Sequence, residues 1–303
     1  MTSTAVFTSK DGALRHQHES RRMARVWQSL SRAKPALAAS FVLAIAIMAS
    51  IAAPFLSSKD PNGVDIMVRL QPPALLDDGS WTNPLGTDQL GRDVFTRLLY
   101  GGRISLTVGF ATALLAGIIG MVLGLLSGYY GGLLDEAIMR VADIFLAFPF
   151  LILAMVTIMM VGSGLGTMIL VLSIFGWVGF ARVIRAETLS IREKELVEAA
   201  RAIGCRNGRI IAYHILPNVF APMIVIATFA VASVIVVEAA LSFLGLGIPP
   251  AIPSWGMMLS DSRNVLRDAP WIGILPGLCI TLVVLSLNLV GDWLRDFLDP
   301  RLR

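Results

Sequence analysis

The chain has 303 residues, 55% apolar and only 15% charged, with a net charge of +4. Soluble domains average about 25% charged residues, so the deficit argues against a large soluble core and for a polytopic membrane protein. Cys205 and Cys279 offer neither a disulfide framework nor the paired spacing of a zinc site.

Residues 1–35 read as a cytoplasmic basic tail with seven Lys/Arg and two acids. A cleaved signal peptide is not expected, because too many polar residues precede the first apolar run. Arg21, Arg22 and Arg25 set orientation or touch lipid headgroups, and His16 and His18 are solvated. Charge-free runs then follow at 36–58, 104–134, 144–181, 215–237, 239–260 and 269–291. About 20 apolar residues cross a bilayer. The run 144–181 is too long for one span and breaks at Gly162-Ser163-Gly164-Leu165-Gly166. The run 239–260 carries Gly245, Gly247, Pro249, Pro250, Pro253 and Gly256. It reads as an external or re-entrant loop, with Ser254 capping a short helix that lays Trp255, Met258 and Leu259 along the interface. The expected fold is all-α, with six transmembrane helices near 36–57, 104–129, 144–162, 167–184, 215–237 and 270–291.

Lys and Arg fix the orientation. With the N-terminus inside, cytoplasmic segments hold 18 of the 25 and external segments hold 7. Both termini are therefore expected in the cytoplasm. The domain reading is a tail (1–35), a first span with an extracytoplasmic loop (36–103), and a five-helix core (104–303).

The loop 186–217 is charged and rich in helix formers. Ser190-Ile191-Arg192-Glu193 has the form of a capping box, and Gly204 stops the helix that follows. Leu189, Leu196, Ala200 and Ile203 are expected on one face, with Glu198 and Arg201 away from it. Asn207 is expected to cap a second helix, and Pro217 and Pro222 to bend the start of the fifth span. Ala199, Ala200 and Gly204 let a partner surface approach closely, and Glu198 offers it an anion.

No expected span contains Lys, Arg, Asp, Glu or His within its apolar run, which argues against a proton- or sodium-coupled carrier. Glu238, one residue beyond the fifth span, reads as an interfacial residue facing water, with contact to a cationic solute as the other reading. Asp88, Arg92 and Asp93 read as a structural ion-pair cluster. No Gly-rich phosphate loop is present, so the chain itself is not expected to bind ATP. Neither a catalytic site nor a metal site is expected.

Glu198-Ala199-Ala200, then Gly204, then Leu216-Pro217 resembles the cytoplasmic "EAA" loop of binding-protein-dependent ABC importers. Three further blocks point the same way. Leu85-Gly86-Thr87-Asp88-Gln89-Leu90-Gly91-Arg92-Asp93, Ala240 through Gly247, and Gly291-Asp292 through Arg301 resemble "C" type permeases of the dipeptide/oligopeptide/nickel family. The run Tyr213-His214-Ile215-Leu216-Pro217-Asn218 looks like that family's version of the loop. The resemblance implies a type I ABC importer transmembrane fold in the bacterial inner membrane. It implies a peptide-type solute and no enzyme activity of the chain's own. It also implies a homologous second permease, one or two ATPase subunits that carry ATP and Mg, and an extracytoplasmic solute-binding protein. The ATPase would couple through Glu198, Ala199, Ala200, Gly204, Leu216 and Pro217. A lone secondary carrier and a membrane scaffold are the competing classes, and co-purification of an ATPase separates them.

Overall fold

The computed structural model describes residues 33–298. Nearly all of the expected basic tail, with Arg21, Arg22, Arg25, His16 and His18, lies outside the described residues, as does the Asp299-Pro300-Arg301 block. Among the described residues the chain is helical, with one isolated β-bridge between Thr87 and Asp93 and no strand.

Besides a four-residue helix at Ala53–Leu56 and a 3-10 turn at Ile66–Val68, the helices are α1 (Lys34–Ile51), α2 (Val94–Tyr130), α3 (Gly132–Leu146), α4 (Phe150–Val161), α5 (Leu165–Arg192) and α6 (Glu195–Ala202), followed by α7 (Asn207–Phe243), α8 (Trp255–Ser262) and α9 (Trp271–Leu298). Five of them, α1, α2, α5, α7 and α9, are long and apolar enough to cross a membrane. The pair α3 and α4, bent by 86°, makes a sixth if taken as one span.

The expected straight span at 144–162 is corrected: the chain breaks between Leu146 and Phe150. Pro149 causes this, since proline lacks an N–H and drives the residue before it out of the helical region. The turn at 162–164, by contrast, separates α4 from α5 where the glycines suggested.

The second span starts earlier than expected, at Val94 rather than near 104, so Arg97 and Arg103 lie within it. Its start is set by Asp93, whose Oδ2 accepts the Thr96 N–H at 2.9 Å and the Thr96 hydroxyl at 2.5 Å. A side-chain cap of this kind satisfies amide donors that a helix leaves unpaired. Between α1 and α2 the chain folds back on itself, with Leu70 N–H on Asp88 O and Thr87 N–H on Gln71 O.

Ser254 does cap α8, accepting the Met257 N–H at 3.1 Å. Trp255 and Met258, however, do not lie along an interface. They are 3% and 1% exposed and pack with Val94, Leu106, Val231, Ile235 and Ile272 in the largest apolar cluster. α2 therefore touches α8 with its first turns and reaches α6 with its last, which defines an α8 end and an α6 end of the bundle.

The tightest packing joins α2 to α5. A Cβ on Gly120 would stand 2.7 Å from Trp177 O, one on Gly124 2.6 Å from Ala181 O, and one on Gly128 2.7 Å from Thr188 Cβ. The spacing of four puts these glycines on one face. Small residues allow backbones in a membrane to approach closely, where apolar burial supplies little drive between helices. Gly124→Val should accordingly displace α5 and destabilise the fold by about 1–3 kcal/mol or more. Gly179→Ala on α5 meets nothing within 4 Å and should be neutral. Thermal stability of the detergent-purified chain, followed by size-exclusion chromatography, checks the pair; equal stability of both variants would contradict the ladder.

Candidate functional site

The loop 186–217 departs in detail from its sequence reading. α5 runs on through Ser190 to Arg192, so no capping box forms there. The N-cap of α6 is Lys194, without a side-chain cap bond, while Glu195 and Glu198 in the first turn and Arg201 in the last complement the helix dipole. The stop at Gly204 forms as expected. Gly204 sits at φ +80°, its N–H bonds Arg201 O at 2.9 Å, and the Cys205 N–H bonds Ala200 O at 3.0 Å. That pair of bonds is a Schellman turn, which needs a left-handed residue at this position.

Asn207 is the first residue of α7 rather than its cap. α7 then passes through a π-helical turn at Ile211–Ile215, closed by the Leu216 N–H on Ile211 O, before Pro217. The wider turn sits where proline interrupts the regular bonding ladder. Leu216 is half-buried and Pro217 exposed.

The buried face of α6 also differs from expectation. Val197 and Ala200 point inward onto Tyr129, Ile184, Ile191, Ile210, Ile215 and Val219. Of the expected stripe only Ala200 is buried; Leu189 is half-buried, while Leu196 and Ile203 are 61% and 80% exposed. The break after Arg192 resets the helix phase, so the periodicity does not carry from α5 into α6. The result is an exposed ridge of Leu196, Ala199 and Ile203 beside Glu195 and Glu198. Apolar side chains gathered on such a surface mark an interaction face.

The ridge stands on a polar buttress. Arg192 Nη1 donates to Gly128 O and Tyr129 O, both at 3.2 Å, and so occupies carbonyls at the end of α2. The Tyr129 hydroxyl donates to Asn207 Oδ1 at 2.9 Å, and the Arg201 guanidinium lies 5.5 Å from the Tyr129 ring centroid. Arg185 donates through Nε and Nη2 to the two oxygens of Asp135, each at 2.6 Å, and the Ser127 hydroxyl donates to the same carboxylate. Sequence reasoning missed this buttress; the one local signal was an arginine at the end of a helix that ran longer than expected.

At the α8 end the expected cluster is divided. Asp88 and Arg92 pair at 2.6 Å, joined by Arg97 at 2.6 Å and by Asp261, which lies 2.9 Å from Arg92 and 3.1 Å from Arg97. Asp93 stands apart as the cap of α2, with Lys59 at 3.6 Å. Asp261 was missed, since it is 169 residues from Arg92.

Glu238 is corrected too: it does not face water but is fully buried near the end of α7. Ser105 donates to its Oε2 at 3.0 Å, and Ser242 and Ser254 to its Oε1 at 2.9 Å each. Among the described residues no cluster of His, Cys, Asp and Glu is able to hold a metal ion.

Residues 120–303 match the family described as "Binding-protein-dependent transport system inner membrane component", and residues 22–73 match the N-terminal TM domain of oligopeptide transport permease C. The dipeptide transport system permease protein DppC of Alkalihalophilus pseudofirmus is 43% identical over 91% of this chain and 89% of its own. The di/tripeptide transport system permease protein DppC of Pseudomonas aeruginosa is 39% identical over 91% of each chain. The oligopeptide transport system permease protein OppC of Bacillus subtilis is 37% identical over 89% of this chain and 87% of its own. An inward-facing structure of the MetNI methionine ABC transporter shares the fold, with a TM-score of 0.55 and 22% identity over 65% of this chain and 93% of that one. Matched through its helical core and aligned with these relatives over most of its length, the chain belongs to the inner membrane components of binding-protein-dependent transport systems.

Proposed function

We propose that this permease subunit carries peptides, or small solutes built like them, across the bacterial cytoplasmic membrane, driven by ATP that separate subunits bind with Mg and hydrolyse. Relatives named for dipeptide, di/tripeptide, glutathione and oligopeptide transport support the solute class. A homologous second permease, one or two ATPases and an extracytoplasmic binding protein complete the assembly. The chain has six spans with both termini inside, counting α3 and α4 as one. Residues 36–103 supply the first span and outer loop, and 104–303 the core.

The observation that carries the coupling role is the α6 ridge, exposed on its outer face and fixed from beneath by Arg192, Tyr129 and Asn207. A surface that is apolar, carries an acid and does not yield is suited to receive force from a partner. Glu198, Ala199 and Gly204 lie on the exposed surface, Ala200 anchors the helix beneath, and Leu216-Pro217 close the unit where it joins α7.

Reporter fusions should place residue 195 in the cytoplasm and residues 75 and 260 outside. An external residue 195 would overturn both the topology and the coupling role.

Glu198→Lys reverses the charge offered to the ATPase. Gly204→Val forces a β-branched residue to positive φ, a backbone cost of about 1–2 kcal/mol, although nothing stands within 4 Å of the added Cβ. Both variants should insert and express normally, and uptake and solute-stimulated ATP hydrolysis should fall together by about tenfold. Normal uptake by both variants in an assembled complex would reduce the loop to a connector.

A further inference from the structure

The Glu238 carboxylate is the one fully buried acid of α7, and neither the coupling loop nor the family assignment uses it. Its three hydrogen bonds come from three different places. Ser105 belongs to α2, Ser242 to α7 itself, and Ser254 is the residue that caps α8. The serines are committed on their other sides as well: Ser105 Oγ accepts the Trp255 N–H at 3.2 Å, and Ser254 Oγ accepts the Met257 N–H at 3.1 Å. Two first-turn amides of α8, those of Trp255 and Met257, are thereby tied, through one hydroxyl each, to the same carboxylate. A carboxylate offers about four acceptor positions, and these hydroxyls fill most of them.

The surroundings leave no room for slack. A Cβ on Gly256 would lie 2.6 Å from Ala239 Cα and 3.1 Å from Glu238 Oε1, and one on Gly101 3.3 Å from Trp255 N. The far end of α8 is held separately, by Asp261 on Arg92 and Arg97. The two helices that meet α8 at Glu238 are those that support α6 at their other ends, α2 through Tyr129 and α7 through Ile210 and Ile215, with Tyr129 and Asn207 bonding the two helices to each other there. Each has 37 residues, which at 1.5 Å per residue is about 55 Å.

We propose that Glu238 is a positioning residue that locks α8 to α2 and α7, so that these three elements move as one body and carry displacement of the α6 loop to the opposite end of the bundle. The proposal rests on the coupling role assigned to that loop. It makes α8 a fixed part of the transmission, not a flap that opens by itself. Glu238 then matters for transport without touching solute or nucleotide.

The test uses the assembled transporter in proteoliposomes. Glu238→Gln keeps the side chain's size, but whichever way the amide turns, its NH2 replaces an oxygen that accepts from serine. The expected result is a complex that keeps its ATPase and its basal hydrolysis within about twofold, while solute uptake falls about tenfold. Ser254→Ala should shift uptake in the same direction. Uptake at the wild-type rate with Glu238→Gln, or loss of the ATPase from that complex, would overturn the assignment.

A second measurement does not depend on how that variant folds. The Cβ built on Gly273 of α9 lies 3.2 Å from Ser262 Cβ of α8, close to the roughly 3.5–4.5 Å of a disulfide. Ser262→Cys with Gly273→Cys should transport equally when oxidised and reduced, with the oxidised wild-type chain as control. α9 belongs to the same body, since Ile272, Val283 and Leu287 pack in one buried cluster with Trp255 and Met258 of α8, so arrest on oxidation that reductant reverses would show that α8 swings against its neighbours and would end the proposal. Failure of the coupling reading shows separately, as normal uptake by Glu198→Lys.

Discussion

The close approach of α2 and α5 across Gly120, Gly124 and Gly128 is the constraint from which the rest of the bundle follows. With apolar lipid on the outside, two apolar helices gain little by touching unless their backbones come near enough for dense packing. The glycines permit that distance along the half of α2 nearest the α6 end. They bring Arg185 and Arg192, at the end of α5, within reach of Asp135 and of the last carbonyls of α2. The buttress under α6 is thus a consequence of side chains that are missing higher up. Were α5 held farther off, Arg192 would lose its acceptors and α6 its floor.

The polar residues of the bundle sort by what they join. Arg185 ties α5 to α3, and Arg192, Tyr129 and Asn207 tie the α6 loop to the end of α2, while Asp88, Arg92, Arg97 and Asp261 tie the first turn of α2 and the segment before it to the end of α8. Glu238 and its serines complete the α8 end. Buried charges are expensive in a membrane and persist where they are paired or hydrogen-bonded. Here each of these groups connects elements far apart in sequence, which makes them determinants of relative helix position rather than of helix formation.

Much of this was legible from the residues, and the limits have physical causes. Composition and charge-free runs located the long helices, and the glycine cluster at 162–166 and Ser254 marked real boundaries. Asp93 did not reveal itself as a cap because Arg97 and Arg103 follow it, and a hydropathy reading starts a span after the last charge; the helix begins where a side chain accepts its amides. The phase of α6 was misread because periodicity assumes an unbroken helix, and a short break rotates everything after it. Glu238 was placed in water because a single sequence does not show that three serines, two of them distant, converge on it. The pairing of Asp261 with Arg92 and Arg97 is likewise a property of the tertiary fold alone.

The Schellman turn at Gly204 has a consequence for how such a loop can be exchanged among proteins. It ends α6 after eight residues, about 12 Å of helix, which is too short to be stable in isolation. Its shape is borrowed from Tyr129, Ile210 and Ile215 beneath it. The loop is therefore not a portable cassette. Grafted onto another scaffold without that underlay, the segment would carry the exposed residues of α6 but not their arrangement. On the coupling role proposed for this loop, recognition of an ATPase would be encoded jointly by the exposed residues and by the buried floor beneath them.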